Sequence, residues 1–335
     1  MKRFSLIAAI SLLIALNTAA ADLSIPRDTS FTRYSSWMKI KKKYPYARLV
    51  ADTLPTGVSM TRDVVYTTIK DTPWGIRDLH VDIFRPDSAK SPLPAVLFVH
   101  GGGWNSGDKS LQHGLASAVA AHGYVTMAVE YRLTPEAKYP AGLHDIKTAI
   151  RWARHHADSL GIDPDRIAIS GCSAGGQLAA LAGMTNGSAR HEGDGRWQDS
   201  SSDVQAVINI DGITTFVSDY NIVDVYERQA KHGGQLPVNA MWLGGMPDQA
   251  RDHWDEASAI LWVTDKSAPI CFINSDLPRY RDGRDEIEPL LRSHGIYTEH
   301  HHVYSPIHPF WFFHPWFTPT VSHAVSFLNR ELGGE

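Results

Sequence analysis

Cysteine is nearly absent: the chain has 335 residues and two cysteines, Cys172 and Cys271. Two cysteines cannot make a disulfide framework, and neither has a neighbour at metal-ligand spacing, so the fold must rest on its core. There is no surplus of positive charge either. The 32 Lys and Arg stand against 36 Asp and Glu, a net charge of −4, and this argues against nucleic acid as a partner. Long apolar runs are missing as well. The mostly apolar stretch over residues 4–16 has 13 residues, short of the roughly 20 needed to span a bilayer. No membrane partner is expected. What is present is 43% hydrophobic and 20% charged residues, the mix of a globular fold that rests on its core. The ten Trp suit cores and sugar-stacking surfaces alike.

Lys2 and Arg3, the apolar stretch, and then Ala19, Ala20 and Ala21 read as an export signal cleaved after Ala21. The expected location is therefore periplasmic or secreted, and with no cysteine near the cleavage point a lipid anchor has no support. Residues 22–60, with a basic stretch at 39–43, read as an N-terminal surface segment. Residues 61–335 read as one domain.

Within that domain, alternating stretches at 64–69 and 79–84 flank the turn-rich Asp71-Thr72-Pro73-Trp74-Gly75 and predict a hairpin. Short, almost wholly apolar runs follow at 95–99, 124–129, 166–170, 204–210 and 268–273, separated by helical stretches. That alternation predicts an α/β fold: a mostly parallel sheet with helices on both faces and an antiparallel hairpin at its start. Leu143, Ile146, Ile150, Ala153, Ala157 and Leu160 form one helical stripe. Thr318, Pro319 and Gly333 predict a last helix capped at Thr318. Residues 185–202 are polar and Gly-rich, the pattern of a mobile surface loop. Residues 213–263 are too long for a simple crossover and predict a cap-like insert.

Two motifs carry chemistry. A strand runs into Gly171-Cys172-Ser173-Ala174-Gly175 and then into a small-residue helix, a G-x-S-x-G turn that exposes Ser173 as a nucleophile. His100-Gly101-Gly102-Gly103-Trp104 directly follows the strand at 95–99. The amides of Gly102 and Gly103, with that of Ala174, are the expected oxyanion donors. A serine hydroxyl needs a base. Of His294, His300–His302, His308, His314 and His323, His308 lies in the loop after the strand at 297–304, at the sheet end where Ser173 emerges. The acid that orients it is open among Asp276, Asp282 and Asp285, with position favouring Asp276 and Asp211 a weaker choice. Trp104 and Trp311 are candidate substrate contacts. No metal or cofactor is implied.

These motifs resemble the α/β-hydrolase superfamily, and more narrowly its esterase and lipase branch with an HGGG oxyanion motif. The segments His100–Lys109, Tyr131-Arg132-Leu133 and Tyr139-Pro140-Ala141 look like bacterial acetyl- and feruloyl-type carbohydrate esterases. Pro278-Arg279, Gly283-Arg284-Asp285, His308-Pro309-Phe310-Trp311 and His314-Pro315-Trp316-Phe317 are similar to esterases associated with pectin breakdown. The resemblance implies a Ser173–His308–Asp285 triad, with Asp276 the alternative acid. It also implies an exported ester hydrolase whose partner is a polysaccharide or oligosaccharide ester, foremost acetylated pectin, with feruloyl or methyl esters as alternatives. An exopeptidase, or a catalytically silent binding protein on the same fold, is the rival from another class; the chain has little room for a peptidase's accessory domain.

Overall fold

The structure, a computed structural model, describes residues 25–89 and 92–333; the expected export signal lies outside them. The strands are β1 (Arg48–Leu49), β2 (Val58–Thr72), β3 (Gly75–Pro86), β4 (Leu93–Val99), β5 (Val125–Val129), β6 (Ile162–Cys172), β7 (Ala206–Ile210), β8 (Ile270–Asn274), β9 (Thr298–His302) and β10 (Phe313–His314). The helices are α1 (Arg33–Ile40), α2 (His113–Ala120), α3 (Ala141–His155), α4 (Ala157–Leu160), α5 (Ala174–Met184), α6 (Asp219–Lys231), α7 (Val238–Leu243), α8 (Arg251–Glu256), α9 (Arg284–Ser293) and α10 (Phe317–Leu332). Eight strands form one sheet in the order β2-β3-β5-β4-β6-β7-β8-β9. The β2–β3 hairpin and the β3–β5 pair are antiparallel, and every later pair is parallel.

Strand periodicity builds the core. Along β4, Ala95, Leu97 and Val99 enter one apolar layer with Ile146, Ile150 and Leu178 of α3 and α5. Val96 and Phe98 point the other way and join Leu115 and Val119 of α2 with Phe327 and Leu328 of α10. Successive side chains on a strand face opposite sides, so a continuous apolar run is what a strand covered on both faces requires. Neighbouring parallel strands bring the ends of β4, β6 and β7 side by side, the position where open α/β sheets carry their sites. The same order puts Ile208 of β7 between Ser170 of β6 and Cys271 of β8, and both cysteines are free and buried.

Three local expectations differ from the structure. The last helix starts at Phe317 with Trp316 at its cap position, not Thr318, although Gly333 does end it in the left-handed region. The segment before residue 61 is more than a surface wrapping: β1 pairs with β10, and Phe31 and Trp37 pack on the core. The carbonyl of Asp28 also accepts from the Gly107 amide at 3.3 Å and from Ser106 Oγ at 2.9 Å. Residues 185–202 are pinned, not loose, by a cation inside the protein. Lys147 on α3 is fully buried, and its ammonium donates to Thr185 O, Glu192 Oε1 and Ser202 Oγ at 3.2, 2.9 and 3.1 Å. Arg151, one turn further along α3, reaches Glu192 Oε2 at 2.6 Å. Burial lowers the Lys147 pKa, with Glu192 opposing the shift. The helix supplied the anchor, which a reading of the loop's own composition could not contain.

No described helix is long and apolar enough to cross a membrane. Between β7 and β8 the chain forms α6, α7 and α8, and these carry Trp242 and Trp254 into the core beside Phe216. The network around Lys147 predicts that Lys147→Met lowers unfolding stability by about 3 kcal/mol, the loss expected when one partner of a buried ion pair is removed. Urea unfolding monitored by tryptophan fluorescence measures it, and an unchanged midpoint contradicts the anchoring role.

Candidate active site

Ser173 sits between β6 and α5 with φ 56° and ψ −121°, a conformation that costs energy for any residue with a side chain. The turn closes because of its flanking glycines. A Cβ at Gly171 would lie 2.0 Å from the Gly175 carbonyl oxygen, and one at Gly175 would lie 2.1 Å from that of Val99. The Ser173 amide is held by Ile210 O at 2.8 Å. The side chain is thereby lifted clear of the sheet end.

His308 meets it there. Ser173 Oγ and His308 Nε2 are 2.8 Å apart, and His308 Nδ1 lies 3.0 Å from Asp211 Oδ2. A carboxylate only accepts, so Nδ1 carries the proton and Nε2 is free to accept from the serine hydroxyl. Asp211 has a fully buried side chain and is fixed by two more donors: the Ser275 amide at 2.8 Å and the Ser275 hydroxyl at 2.7 Å. Tyr280 stacks on the imidazole at 3.4 Å between centroids, and Trp311 meets it edge-on at 5.2 Å. Burial lowers the His308 pKa below 6.5, Asp211 opposes this, and the Arg279 charge adds to the lowering.

The carboxylate that the structure brings to His308 is therefore Asp211, at the end of β7 beside β6, and not one of the residues ranked above it. Asp285 is on the first turn of α9, largely exposed and paired with Arg284 at 2.6 Å. Asp276 pairs with His302 at 2.6 Å. Asp282 accepts from Ser218 Oγ at 2.5 Å and ties α6 to the turn before α9. The chain order Ser173, Asp211, His308 still has the acid between nucleophile and base. A signal for Asp211 was present in the sequence: it directly follows the apolar run that becomes β7 and precedes Gly212. Of the other histidines, His300 pairs with Glu288 and His301 with Glu299, while His323 stacks on His301.

Gly102 has a φ of +127°, and a Cβ there would overlap Ser106 O at 1.9 Å. The amides of Gly102 and Gly103 have no protein acceptor among the described residues. Ala174 is the first residue of α5, where an amide has no intrahelical partner. All three line the cavity that holds Ser173 and His308, whose volume is about 360 Å³. His100 supports the loop from behind, with Nδ1 donating to Gly101 O at 2.8 Å. Burial drops its pKa to about 4, so it stays neutral. Trp104 lines the cavity as expected, stacked on Trp242 at 4.8 Å and donating to Gln177 Oε1 at 2.9 Å. Trp311 is not among the residues lining it; its ring is buried and packs edge-on against His308. Sequence reasoning missed Asp28 and Phe31, which form part of the wall.

The fold is that of the α/β-hydrolases, and its sheet end holds a serine, a histidine and an aspartate in one hydrogen-bonded line. The sequence pattern of the BD-FAE family matches residues 81–279, more than half of the chain, and the chain belongs to that family. It is similar to Esterase LipC of Mycobacterium tuberculosis, 40% identical over 129 residues, covering 38% of this chain and 32% of that protein. The chain thus spans about a third of the length of LipC and of the mycobacterial carboxylesterase NlhH, and 47% of LipM. Among solved structures it is similar to a truncated carbohydrate esterase from gut microbiota, with a TM-score of 0.66 and 22% identity over 85% of this chain and 99% of that one. It is also similar to an esterase of Thermogutta terrifontis, with a TM-score of 0.63 and 25% identity over 82% and 92%.

Asp211→Asn is expected to lower kcat on a short p-nitrophenyl ester by about 10⁴-fold, because the amide favours the wrong His308 tautomer. Asp285→Asn and Asp276→Asn are expected to leave it essentially unchanged. Only neutral His308 accepts a proton, so kcat/KM falls as pH drops through the His308 pKa. A lowered pKa puts that acid limb below 6.5. A limb above 6.5 in the pH–rate profile contradicts the assignment.

Proposed function

We propose that the protein is an exported serine carboxylic-ester hydrolase that removes small acyl groups, acetyl foremost, from plant cell-wall polysaccharide such as pectin or from its oligosaccharides. The observation that carries the ester-hydrolase reading is the continuous hydrogen-bonded line from Ser173 through His308 to Asp211, 2.8 and 3.0 Å long, set beside the glycine loop. Ser173 Oγ attacks the ester carbonyl while His308 Nε2 takes its proton. Gly102, Gly103 and Ala174 hold the oxyanion. His308 then returns the proton to the departing alcohol. Water, deprotonated by the same imidazole, attacks the acyl-enzyme and releases the acid. Asp211 keeps Nδ1 protonated throughout and stabilises the imidazolium.

A small acyl group is supported by Trp104, a bulky side chain fixed by its stack and its hydrogen bond next to the oxyanion loop. A saccharide alcohol is supported by the sequence resemblance to carbohydrate esterases, and by a cleft that combines rings such as Phe31 and Tyr280 with the polar Asn221 and Asn239. Export rests on the composition of residues 1–21 alone.

Ser173→Ala is expected to abolish turnover of p-nitrophenyl acetate with the protein still folded, and a fluorophosphonate probe is expected to label wild type only. Incubation with acetylated pectin, acetylated xylan, methylated pectin and feruloylated arabinoxylan, with acetate, methanol and ferulate measured separately, decides the acyl group. Acetate from pectin as the main product supports the reading. Ferulate or methanol as the main product replaces the acetyl assignment, and turnover confined to long-chain esters replaces it with a lipase.

A further inference from the structure

The cavity around Ser173 and His308 is lined by two guanidinium groups that the triad does not use, Arg228 of α6 and Arg279 of the short turn Pro278–Arg281. They flank β8 in sequence, Arg228 in the segment before it and Arg279 in the loop after it. Arg228 gives one nitrogen to Asp224 at 2.8 Å and the same nitrogen approaches Asn239 Oδ1 at 3.5 Å. Its Nε is buried and has no partner. Arg279 has no carboxylate partner among the described residues; its guanidinium lies 5.5 Å from the centre of the Tyr280 ring, the ring that stacks on His308. Burial lowers the Arg228 pKa, and the next cause is the positive charge of Arg279. Both guanidinium-bearing residues line the same cavity.

The negative groups nearby are already engaged. Asp211 is held by His308 and Ser275, and Asp224 by Arg228. Asp28 accepts from the Ser30 amide at 2.8 Å and from Asn105 Nδ2 at 3.3 Å. A buried donor without an acceptor is costly, and paired guanidiniums are well matched to a carboxylate, which accepts from both at once.

The reaction fixes which part of an ester lies there. His308 must protonate the leaving oxygen, so the alcohol half of the substrate sits on the His308 side, against Tyr280 and Arg279. The acyl half lies toward Trp104. We propose that Arg228 and Arg279 form a carboxylate-binding subsite for the alcohol half, and that the enzyme takes acyl esters whose sugar bears a carboxylate, the uronic acids. This rests on the ester-hydrolase reading and deepens it by assigning recognition of the sugar's carboxylate to two named residues, which neutral acetylated polysaccharides would not engage.

The test uses a carboxylate that is not an ester. Trigalacturonate and the neutral trisaccharide of galactose are compared as inhibitors of p-nitrophenyl acetate hydrolysis in wild type, Arg279→Gln, Arg228→Gln and Arg279→Lys. The acidic trimer is expected to inhibit wild type at least about tenfold more tightly than the neutral one, a difference within the strength of charge-assisted hydrogen bonds. That preference should collapse in both glutamine variants, survive in part in Arg279→Lys, and weaken with added salt. Equal inhibition by the two trimers in wild type, or a preference untouched in both glutamine variants, overturns the subsite. Calorimetric binding of the same trimers to Ser173→Ala protein and to the arginine variants decides the subsite independently of turnover. Absence of p-nitrophenyl acetate hydrolysis would therefore count against the ester-hydrolase reading alone.

Discussion

The hydrogen bond between His308 Nδ1 and Asp211 Oδ2 joins residues 97 positions apart, and the site depends on it. Without it the imidazole has no preferred tautomer, and the serine hydroxyl faces no oriented base. The bond exists because β7 lies between β6 and β8 in a parallel sheet. That neighbourhood puts Asp211 at the end of the strand next to Ser173, and puts Ser275, at the end of β8, where it can hold the carboxylate from its other side. Tyr280 and Trp311 then leave the ring little freedom to turn. Sheet order, not local sequence, makes this contact.

A second constraint is the backbone around Ser173. Its left-handed φ and the close approaches at Gly171 and Gly175 leave no room for a side chain at either glycine. Such strain persists only where the surroundings over-determine it, and here buried apolar side chains cover both faces of β4 and β6. The oxyanion loop depends equally on distant chain: Asp28 and Phe31 hold Ser106, and Tyr131 donates to His100 O at 2.8 Å. Residues of the N-terminal segment thus take part in shaping the catalytic cavity.

Those features explain what could be read in advance. The nucleophile turn and the glycine loop are local, so their residues and spacing were legible, as were the strands, whose apolar runs carry their own periodicity. His308 could be placed because it follows β9 at the correct sheet end. The acid could not be settled, since three aspartates follow β8 and the choice depends on side-chain reach across a neighbouring strand. Family likeness pointed to Asp285, but that carboxylate is occupied by Arg284 and faces solvent. The loop over residues 185–202 reads as mobile from its own glycines and polar groups, while its anchor, Lys147, is on another element. Trp311 had the right neighbour in sequence and the wrong side of the ring in space.

The central claim is that Asp211, His308 and Ser173 act as one line beside the amides of Gly102, Gly103 and Ala174. A crystal structure of the protein inactivated by a phosphonate tests it most directly. The phosphorus should be bonded to Ser173 Oγ, with one phosphonyl oxygen within hydrogen-bond distance of those amides and His308 Nδ1 still on Asp211. An adduct on another residue, or an imidazole turned from Asp211 toward Asp276 or Asp285, would contradict it.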